Sequence, residues 1–314
     1  MTHNNLTRRS FLTAAAASIP TTAIIPTVAA AETRYQGGAS PWPLVMNAST
    51  IRPASLEEKL AVTAKAGWDG IELWINELDD YENEGNDLKE LGKRIADMGL
   101  YVPNVIGLWS CMPASREAFD ESLEATRKRM RQSADVGSLY VAAIPTPDRE
   151  DFDLKWGSEM YRELMRIGRD DYNINVAFEF VGFLKSVYRF GQACAVAFDA
   201  NDRGAAMIMD TFHLFRGDSG FDAIKHVQGD FIADFHWNDV PGDIPREEQG
   251  DEHRIYPGDG VLPLSQVLRD LKAINYKRAL SLELFNRPLW ERPAEEIAVE
   301  GLEKMLACIA DAGV

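Results

Sequence analysis

Cysteine is scarce in this chain of 314 residues, which contains only Cys111, Cys194 and Cys308. The three residues lie far apart, they are odd in number, and no two of them have the C-x-x-C spacing. This pattern excludes a disulfide framework and a cysteine-bound zinc knot. We therefore expect three free thiols that are buried in the core.

Basic residues are also fewer than acidic ones. The chain has 33 lysines and arginines and 49 aspartates and glutamates, which gives a net charge of −16. A surface that binds nucleic acid or phosphate needs a local basic stripe to overcome such a field, and the sequence shows none. The one basic run, at residues 127–131, is typical of the solvent face of a helix. We therefore predict that nucleic acid is not a partner.

The chain has no long apolar run after its first thirty residues, and a membrane-spanning helix needs about 20. Residues 7–12, TRRSFL, match a twin-arginine export pattern, and an alanine-rich run that ends in small residues at 28–31 follows them. Pro20 and Pro26 interrupt this run, which favours a signal over a membrane anchor, although an uncleaved anchor stays open. We predict a Tat signal at residues 1–31, a periplasmic protein, and no stable membrane insertion after cleavage.

Short apolar runs alternate with amphipathic helical patterns from residue 44 onward. Eight units of this kind predict an α/β fold, a single-domain (β/α)8 TIM barrel over residues 44–314, after a linker or N-terminal arm at residues 32–43. A doubly wound open sheet is the alternative, but no G-x-G-x-x-G follows the first strand. We expect the acidic run at residues 77–84 to be a solvated loop. The predicted strands cover residues 44–48, 70–74, 101–106, 139–144, 175–179, 205–210, 231–236 and 279–283.

The last four predicted strands each end in a side chain that can bind a metal: Glu179, Asp210, His236 and Glu283. Because TIM barrels carry their chemistry at the C-terminal ends of the strands, we expect these side chains to meet at one rim. A single carboxylate at a strand end is more often a helix cap or an ion-pair partner, so the prediction depends on all four arriving together. Three carboxylates and one imidazole suit one divalent cation, with Mn²⁺ as first choice and Mg²⁺, Co²⁺ or Zn²⁺ as alternatives.

Further motifs accompany these four donors. Asp210 begins a D-x-x-H motif, His236 begins an H-x-N-D turn, and Arg254 leads into P-G-x-G. In this combination they resemble the xylose isomerase-like TIM barrel family of sugar isomerases and epimerases. The insertion at residues 241–252, which precedes Arg254, is most similar to the keto-inositol isomerase branch.

The resemblance implies that the four donors are the metal ligands, and that Glu179 and Glu283 also act as acid and base on opposite faces of the substrate. It implies that His213 and Arg254 hold substrate oxygens. Related epimerases often place a second carboxylate six residues beyond the first metal glutamate, whereas this chain has Lys185 there, which puts simple hexulose epimerisation in doubt. Lys185 is either a solvated loop lysine or a cation that binds a substrate oxygen.

Proton transfer next to a carbonyl is the chemistry that these residues favour. A metal that chelates a carbonyl oxygen and the neighbouring hydroxyl acidifies the C–H bond between them, so that a carboxylate can take the proton. We therefore predict an isomerase or epimerase that acts on a keto-sugar or keto-inositol through an enediolate. A metal-dependent lyase or dehydratase that acts on a 3-keto-glycoside or an inosose is the alternative. Trp74, Trp109 and Trp237 are candidates to stack on the substrate ring, with core packing as the competing interpretation.

Two other functional classes use parts of the same pattern. Endonuclease IV resembles this family too, but it requires a three-zinc cluster with several more histidines than the five found here. A non-catalytic periplasmic sugar-binding protein would use the tryptophans but would not need three carboxylates around a metal. The preferred prediction is an enzyme with a small carbohydrate or cyclitol substrate, and a homo-oligomer is left open.

Overall fold

Eight parallel strands close into a barrel in the computed structural model, which describes residues 35–314. Each strand pairs with the next along the chain, and β1 also pairs with β8. The predicted (β/α)8 TIM barrel is therefore confirmed. The strands are β1 Leu44–Asn47, β2 Gly70–Trp74, β3 Asn104–Leu108, β4 Tyr140–Ala143, β5 Asn175–Glu179, β6 Met207–Asp210, β7 Ile232–Trp237 and β8 Leu280–Leu282.

Helices surround the barrel, and several begin and end at the expected capping residues. The Ser55 hydroxyl accepts a hydrogen bond from the main-chain N–H of Glu58 at the start of α1, and Gly67 ends this helix in the left-handed conformation. The helices are α1 Leu56–Ala66, α2 Ile75–Asn83, α3 Leu88–Asp97, α4 Arg116–Asp135, α5 Leu154–Ile167, α6 Phe190–Asp199, α7 Thr211–Arg216, α8 Leu264–Ala273, α9 Arg287–Trp290 and α10 Ala294–Ala312.

The prediction of a solvated loop at residues 77–84 is wrong, because most of these residues belong to α2. Leu78 buries one face of this helix. Its acidic face binds the basic run of α4, where Lys128 Nζ lies 2.6 Å from Asp79 and Arg131 Nη2 lies 2.8 Å from Glu82. The two runs of opposite charge are therefore partners across a helix pair.

The segment before β1 packs against the N-terminal ends of the strands. Trp42 is buried, and its Nε1 donates to the main-chain oxygen of Tyr276 at 2.9 Å. Gln36 Nε2 donates to Asp69 at the same distance. Residues 35–43 are thus an arm fixed to the barrel, whereas the predicted signal at residues 1–31 lies outside the described residues. Within residues 35–314, no helix has the length and apolar character needed to cross a membrane.

Strand β7 shows how the barrel separates its site from its core. Successive side chains of a strand point to opposite sides, so Asp234 and His236 face the interior. Phe235 and Trp237 face the helix layer, where their rings pack edge to face at 5.5 Å. Trp237 is fully buried there, so the interpretation that it stacks on a substrate is wrong and the packing interpretation is correct.

Candidate active site

The four predicted donors meet at the C-terminal end of the barrel. The Nδ1 atom of His236 lies 3.1 Å from Glu283 Oε2, 3.3 Å from Glu179 Oε1 and 3.6 Å from Asp210 Oδ2. Glu179 and Asp210 end β5 and β6, His236 is the penultimate residue of β7, and Glu283 directly follows β8. The side chains of all four are at most 5% exposed. Parallel strands therefore deliver the donors to one buried point, as the sequence predicts.

The spacing of these donors fits a single divalent cation. Ligands about 2.1 Å from a shared cation lie about 3.0 Å apart at right angles and about 3.4 Å apart in a tetrahedron. The distances from His236 Nδ1 lie close to these values. This atom is buried, and against the effect of burial Glu283 and Glu72 hold the pKa of His236 well above its usual value, so a metal bound here would take the place of a ring proton. The residues present fit a divalent metal and do not choose among ions.

Glu72 sets the orientation of His236, because its Oε1 lies 3.0 Å from the second ring nitrogen, Nε2. A proton on Nε2 leaves Nδ1 as the ligand atom, which is the usual second-shell arrangement for a metal-bound histidine. Glu72 also accepts hydrogen bonds from Asn47, Asn104 and Ser281 at 2.6 to 2.8 Å. Burial acts to raise the pKa of Glu72, but His236 and these hydrogen bonds hold it below its usual value. The supporting residues lie inside β1, β3 and β8, and the sequence analysis missed them.

Arg254 bridges two of the carboxylates. Its Nη1 donates to Asp210 Oδ2 at 2.6 Å and to Glu283 Oε2 at 2.7 Å, while its Nη2 donates to Asp251 at 2.7 Å. His213 Nε2 lies 3.3 Å from Arg254 Nη2. Burial lowers the pKa of His213, so its ring is neutral near pH 7. Both residues that the resemblance assigns to substrate oxygens therefore border the donors.

The carboxylates of the site differ in their affinity for a proton. Burial raises the pKa of Glu283 to about 7, against the opposing effects of His236 and Arg254. Burial also acts to raise the pKa of Asp210, but Arg254 and His213 hold it well below its usual value. A carboxyl group with a pKa near neutrality is suited to both taking and returning a proton. Glu283 has this property.

Two open cavities lie on this face of the barrel, and none of the four donors lines either of them. One, of about 450 Å³, is lined by Trp74 and Trp109, whose rings stack with centroids 6.2 Å apart. The other, of about 710 Å³, is lined by Phe183 and Lys185. Trp109 thus borders a space of the size that holds a small ligand. Lys185 is exposed and pairs with Glu150 at 2.9 Å, so it lies beside the second cavity and away from the donors, and its role stays a prediction.

The sequence also matches a known family along most of its length. The family described as "Xylose isomerase-like TIM barrel" matches residues 60–308. The chain belongs to the xylose isomerase-like TIM barrel family. The predicted resemblance is therefore confirmed.

Relatives within the xylose isomerase-like TIM barrel family are named as isomerases, dehydratases or an epimerase. The chain is 26% identical over 255 residues to the inosose isomerase of Bacillus velezensis, a match that covers 79% of this chain and 90% of that protein. It is also 26% identical over 261 residues to the 3-dehydroshikimate dehydratase of Pseudomonas aeruginosa, which covers 80% of this chain but 39% of the dehydratase. These names support the predicted isomerase class and fit the lyase alternative.

A solved structure of the same fold is similar over nearly its whole length. The crystal structure of the IolI protein with a bound zinc atom has a TM-score of 0.78 and 23% sequence identity, and the match covers 86% of this chain and 99% of that one. At 23% identity, this likeness shows that the two proteins share the barrel fold.

Proposed function

We propose that this chain is a divalent-metal-dependent isomerase or epimerase that moves a proton next to the carbonyl group of a keto-sugar or keto-inositol. The strongest support is that carboxylate oxygens of Glu179, Asp210 and Glu283 all lie within 3.6 Å of Nδ1 of His236. The inosose isomerase relative favours a cyclitol ketone as substrate. The crystal structure of the similar IolI protein contains a bound zinc atom, which supports the choice of a divalent metal.

The four donors would hold the metal, whose charge acidifies the C–H bond next to the substrate carbonyl. Glu283 would take this proton as a base, which gives an enediolate. Glu179 is the partner acid in this proposal, and its Oε1 lies 3.3 Å from Nδ1 of His236, the nitrogen that Glu283 also approaches. Return of the proton to the neighbouring carbon isomerises the sugar, and return to the opposite face of the same carbon epimerises it.

Arg254 and His213 are proposed to hold the substrate oxygen that gains negative charge. Asp251 accepts hydrogen bonds from Nε and Nη2 of Arg254, which directs Nη1 toward Asp210 and Glu283 before substrate arrives. The neutral ring of His213 lies beside it. Phe285 covers this arrangement, with the guanidinium carbons of Arg254 and Arg52 each 5.2 Å from its ring centroid.

Elimination is the second candidate function. An enediolate that expels an oxygen from the β-carbon gives a dehydratase or lyase with the same metal and base. The dehydratase relative favours this outcome, and a 3-keto-glycoside or inosose would be the substrate. The two candidates share every residue described above and differ only in the fate of the intermediate.

We further propose Mn²⁺ as the native ion and export through the twin-arginine route, on the motif at residues 7–12. Fractionation of cells that produce the chain tests the second point, because the protein should appear in the periplasm and should stay in the cytoplasm when both arginines are replaced by lysine. Equal distribution of the two forms would contradict it.

Deuterium exchange tests the function directly. The protein is incubated with Mn²⁺ in D₂O together with a panel of inososes and keto-sugars, and the products are followed by NMR. We expect deuterium at the carbon next to the carbonyl for at least one compound, and an unsaturated product if elimination dominates. Absence of exchange and of elimination with every compound, while calorimetry shows metal bound, would contradict the proposal and favour a binding protein.

A further inference from the structure

Arg254 reaches the candidate site from a loop, whereas the four donors stand at or next to strand ends. It follows the insertion at residues 241–252, and its side chain is only 1% exposed. Loops vary in conformation more than the strands that they join. A loop residue that must keep a fixed position among buried carboxylates therefore needs an anchor of its own, and the neighbours of Arg254 provide one.

Asp239 and Ile255 close the base of this loop. The main-chain N–H of Asp239 donates to the carbonyl oxygen of Ile255 at 3.0 Å, and the N–H of Ile255 donates to the carbonyl oxygen of Asp239 at the same distance. The two residues form an isolated antiparallel bridge. Because Ile255 directly follows Arg254, this bridge fixes the main chain beside Arg254 two residues beyond the end of β7.

The carboxylate of Asp239 accepts four further hydrogen bonds, all from main-chain N–H groups. Oδ2 accepts from Gly258 and Gly260, each at 3.1 Å. Oδ1 accepts from Val240 and Leu262, each at 2.9 Å. Asp239 is 1% exposed, and a buried carboxylate needs such partners in place of water. The H-x-N-D turn and the P-G-x-G turn are therefore joined through one side chain.

Gly260 shows how closely the two turns approach each other. A Cβ atom at this position would lie 2.2 Å from the main-chain oxygen of Val240 and 2.4 Å from Oδ1 of Asp239. No real Cβ atom makes contacts this short, so any larger residue would push the P-G-x-G turn away from Asp239. The glycine is required here by close approach of the main chain.

The loop carries both the guanidinium group and the aspartate that directs it. Asp251 Oδ1 accepts hydrogen bonds from Nε of Arg254 at 3.0 Å and from Nη2 at 2.7 Å. The remaining nitrogen, Nη1, donates to Asp210 and Glu283. A shift at the base of the loop, which Asp239 closes, would therefore move the guanidinium and its aspartate together relative to the donors.

We propose that Asp239 is a positioning residue for Arg254, because it joins the turn after β7 to the P-G-x-G turn and so sets where the guanidinium meets Asp210 and Glu283. A misplacement of about 1 Å can cost about 100-fold in rate. Both carboxylate oxygens are needed, since an amide would direct an N–H group at two main-chain N–H donors. The closure of the loop stands on its hydrogen bonds, whereas the importance of Arg254 for the reaction rests on the proposed function.

A double-mutant cycle tests this link. Asp239→Asn should lower kcat/KM by about 10- to 100-fold, because the guanidinium is misplaced. On the Arg254→Gln background it should lower kcat/KM by less than about two-fold further, because residues that act through one another are not additive. Arg269→Gln is the matched background, since this exposed arginine of α8 bonds only Gln266 among the described residues, and the full loss should remain there. Equal losses on all backgrounds would overturn the proposal.

Gly260→Ala provides a second variant that keeps the carboxylate and displaces the turn. It should lower kcat/KM by about ten-fold or more, and again only while Arg254 is present. Gly191→Ala, in α6, is its control, because a Cβ atom there meets nothing within 4 Å. Asp243→Asn, at an exposed position of the insertion, is the control for Asp239→Asn. If Asp239→Asn unfolds the chain, Gly260→Ala decides the question.

Urea denaturation of the metal-free chain tests the link without any substrate. Part of the unfolding free energy lost in Asp239→Asn is the loss of the bonds that Arg254 makes to the carboxylates. The loss should therefore be smaller on the Arg254→Gln background, whereas a purely structural role of Asp239 would give the same loss on both. Calorimetry should show no fall in Mn²⁺ affinity for Asp239→Asn. A fall of about ten-fold or more would show that Asp239 acts on His236, as expected for loss of a group that orients a metal ligand, and would overturn the proposal.

The result is distinguishable from that of the proposed function. Coupling between Asp239 and Arg254 in unfolding, without deuterium exchange into any ketone, would support the positioning link and contradict the function. Exchange that proceeds at an unchanged rate in Asp239→Asn and in Gly260→Ala would leave the function standing and would refute the positioning role.

Discussion

The two halves of the barrel contribute to the site in different ways. Strands β5 to β8 end in the four donors themselves. Strands β1 to β3 contribute Asn47, Glu72 and Asn104, which reach the metal centre mainly through the bond between Glu72 and His236. In the proposed function, the late half therefore holds the groups that react, and the early half mainly holds the groups that orient them. Substitutions in the late half should change the rate, and those in the early half should change the affinity for metal.

Glu283→Gln should have the largest effect. The change keeps the shape of the side chain but removes the base, so deuterium exchange should fall by about 1000-fold, within the range for loss of a general base. Circular dichroism should show an unchanged fold, and Glu291→Gln, at an exposed position, is the control. Activity that survived in Glu283→Gln would remove this residue from the acid–base role.

Arg254→Gln should follow, with a loss of about 100-fold in kcat/KM. The change leaves the buried carboxylates of Asp210 and Glu283 without their shared cation, so the metal-free protein should also lose about 3 kcal/mol of unfolding free energy. Urea denaturation measures this loss, and Arg269→Gln should show neither effect. Unchanged stability would mean that the two carboxylates do not depend on Arg254.

Glu72→Gln tests the early half. It should weaken metal binding by about 10- to 100-fold, because His236 loses the partner that orients its ring. Saturating metal should restore most of kcat, in contrast to Glu283→Gln. Calorimetric titration with Mn²⁺ gives the affinity. A loss of kcat at unchanged metal affinity would contradict the proposal that the early half of the barrel acts on metal affinity and the late half on the rate.

The affinity for metal should depend on pH through Glu283. Its pKa is raised to about 7, so below this pH the carboxyl group is protonated and the proton competes with the metal. Affinity should therefore rise by up to about ten-fold per pH unit as the pH increases toward 7. The rise should continue more gently above 7, because Glu283 and Glu72 hold the pKa of His236 well above its usual value and this ring must also lose a proton. Titrations between pH 5.5 and 8 measure this trend, and Glu283→Gln should flatten it.

Trp109→Ala should have the smallest effect, a rise in KM of about five-fold with kcat nearly unchanged. The ring borders the 450 Å³ cavity and stacks on Trp74, so its loss removes contact area without touching a donor. Steady-state kinetics measure the change. A fall in kcat comparable to that of Arg254→Gln would place Trp109 nearer the chemistry than its position indicates.

The sequence predicts that the four candidate donors lie together, because each stands at or next to the end of an apolar strand and the barrel fold alone brings strand ends together. It does not reveal the partners of Glu72, because Asn47, Asn104 and Ser281 are single polar residues on three separate strands. Nor does it reveal α2, whose acidic face is balanced by α4 some fifty residues later.

The hydrogen bonds of Glu72 also bear on when this protein can first bind a cation. One carboxylate on β2 receives donors from β1, β3, β7 and β8, so it is complete only when the last strand docks onto the first. The same docking step brings Glu283 beside His236. A chain that stalls with seven strands paired lacks both the fourth ligand and part of the orienting network. Tight uptake of the ion would then report that folding has finished.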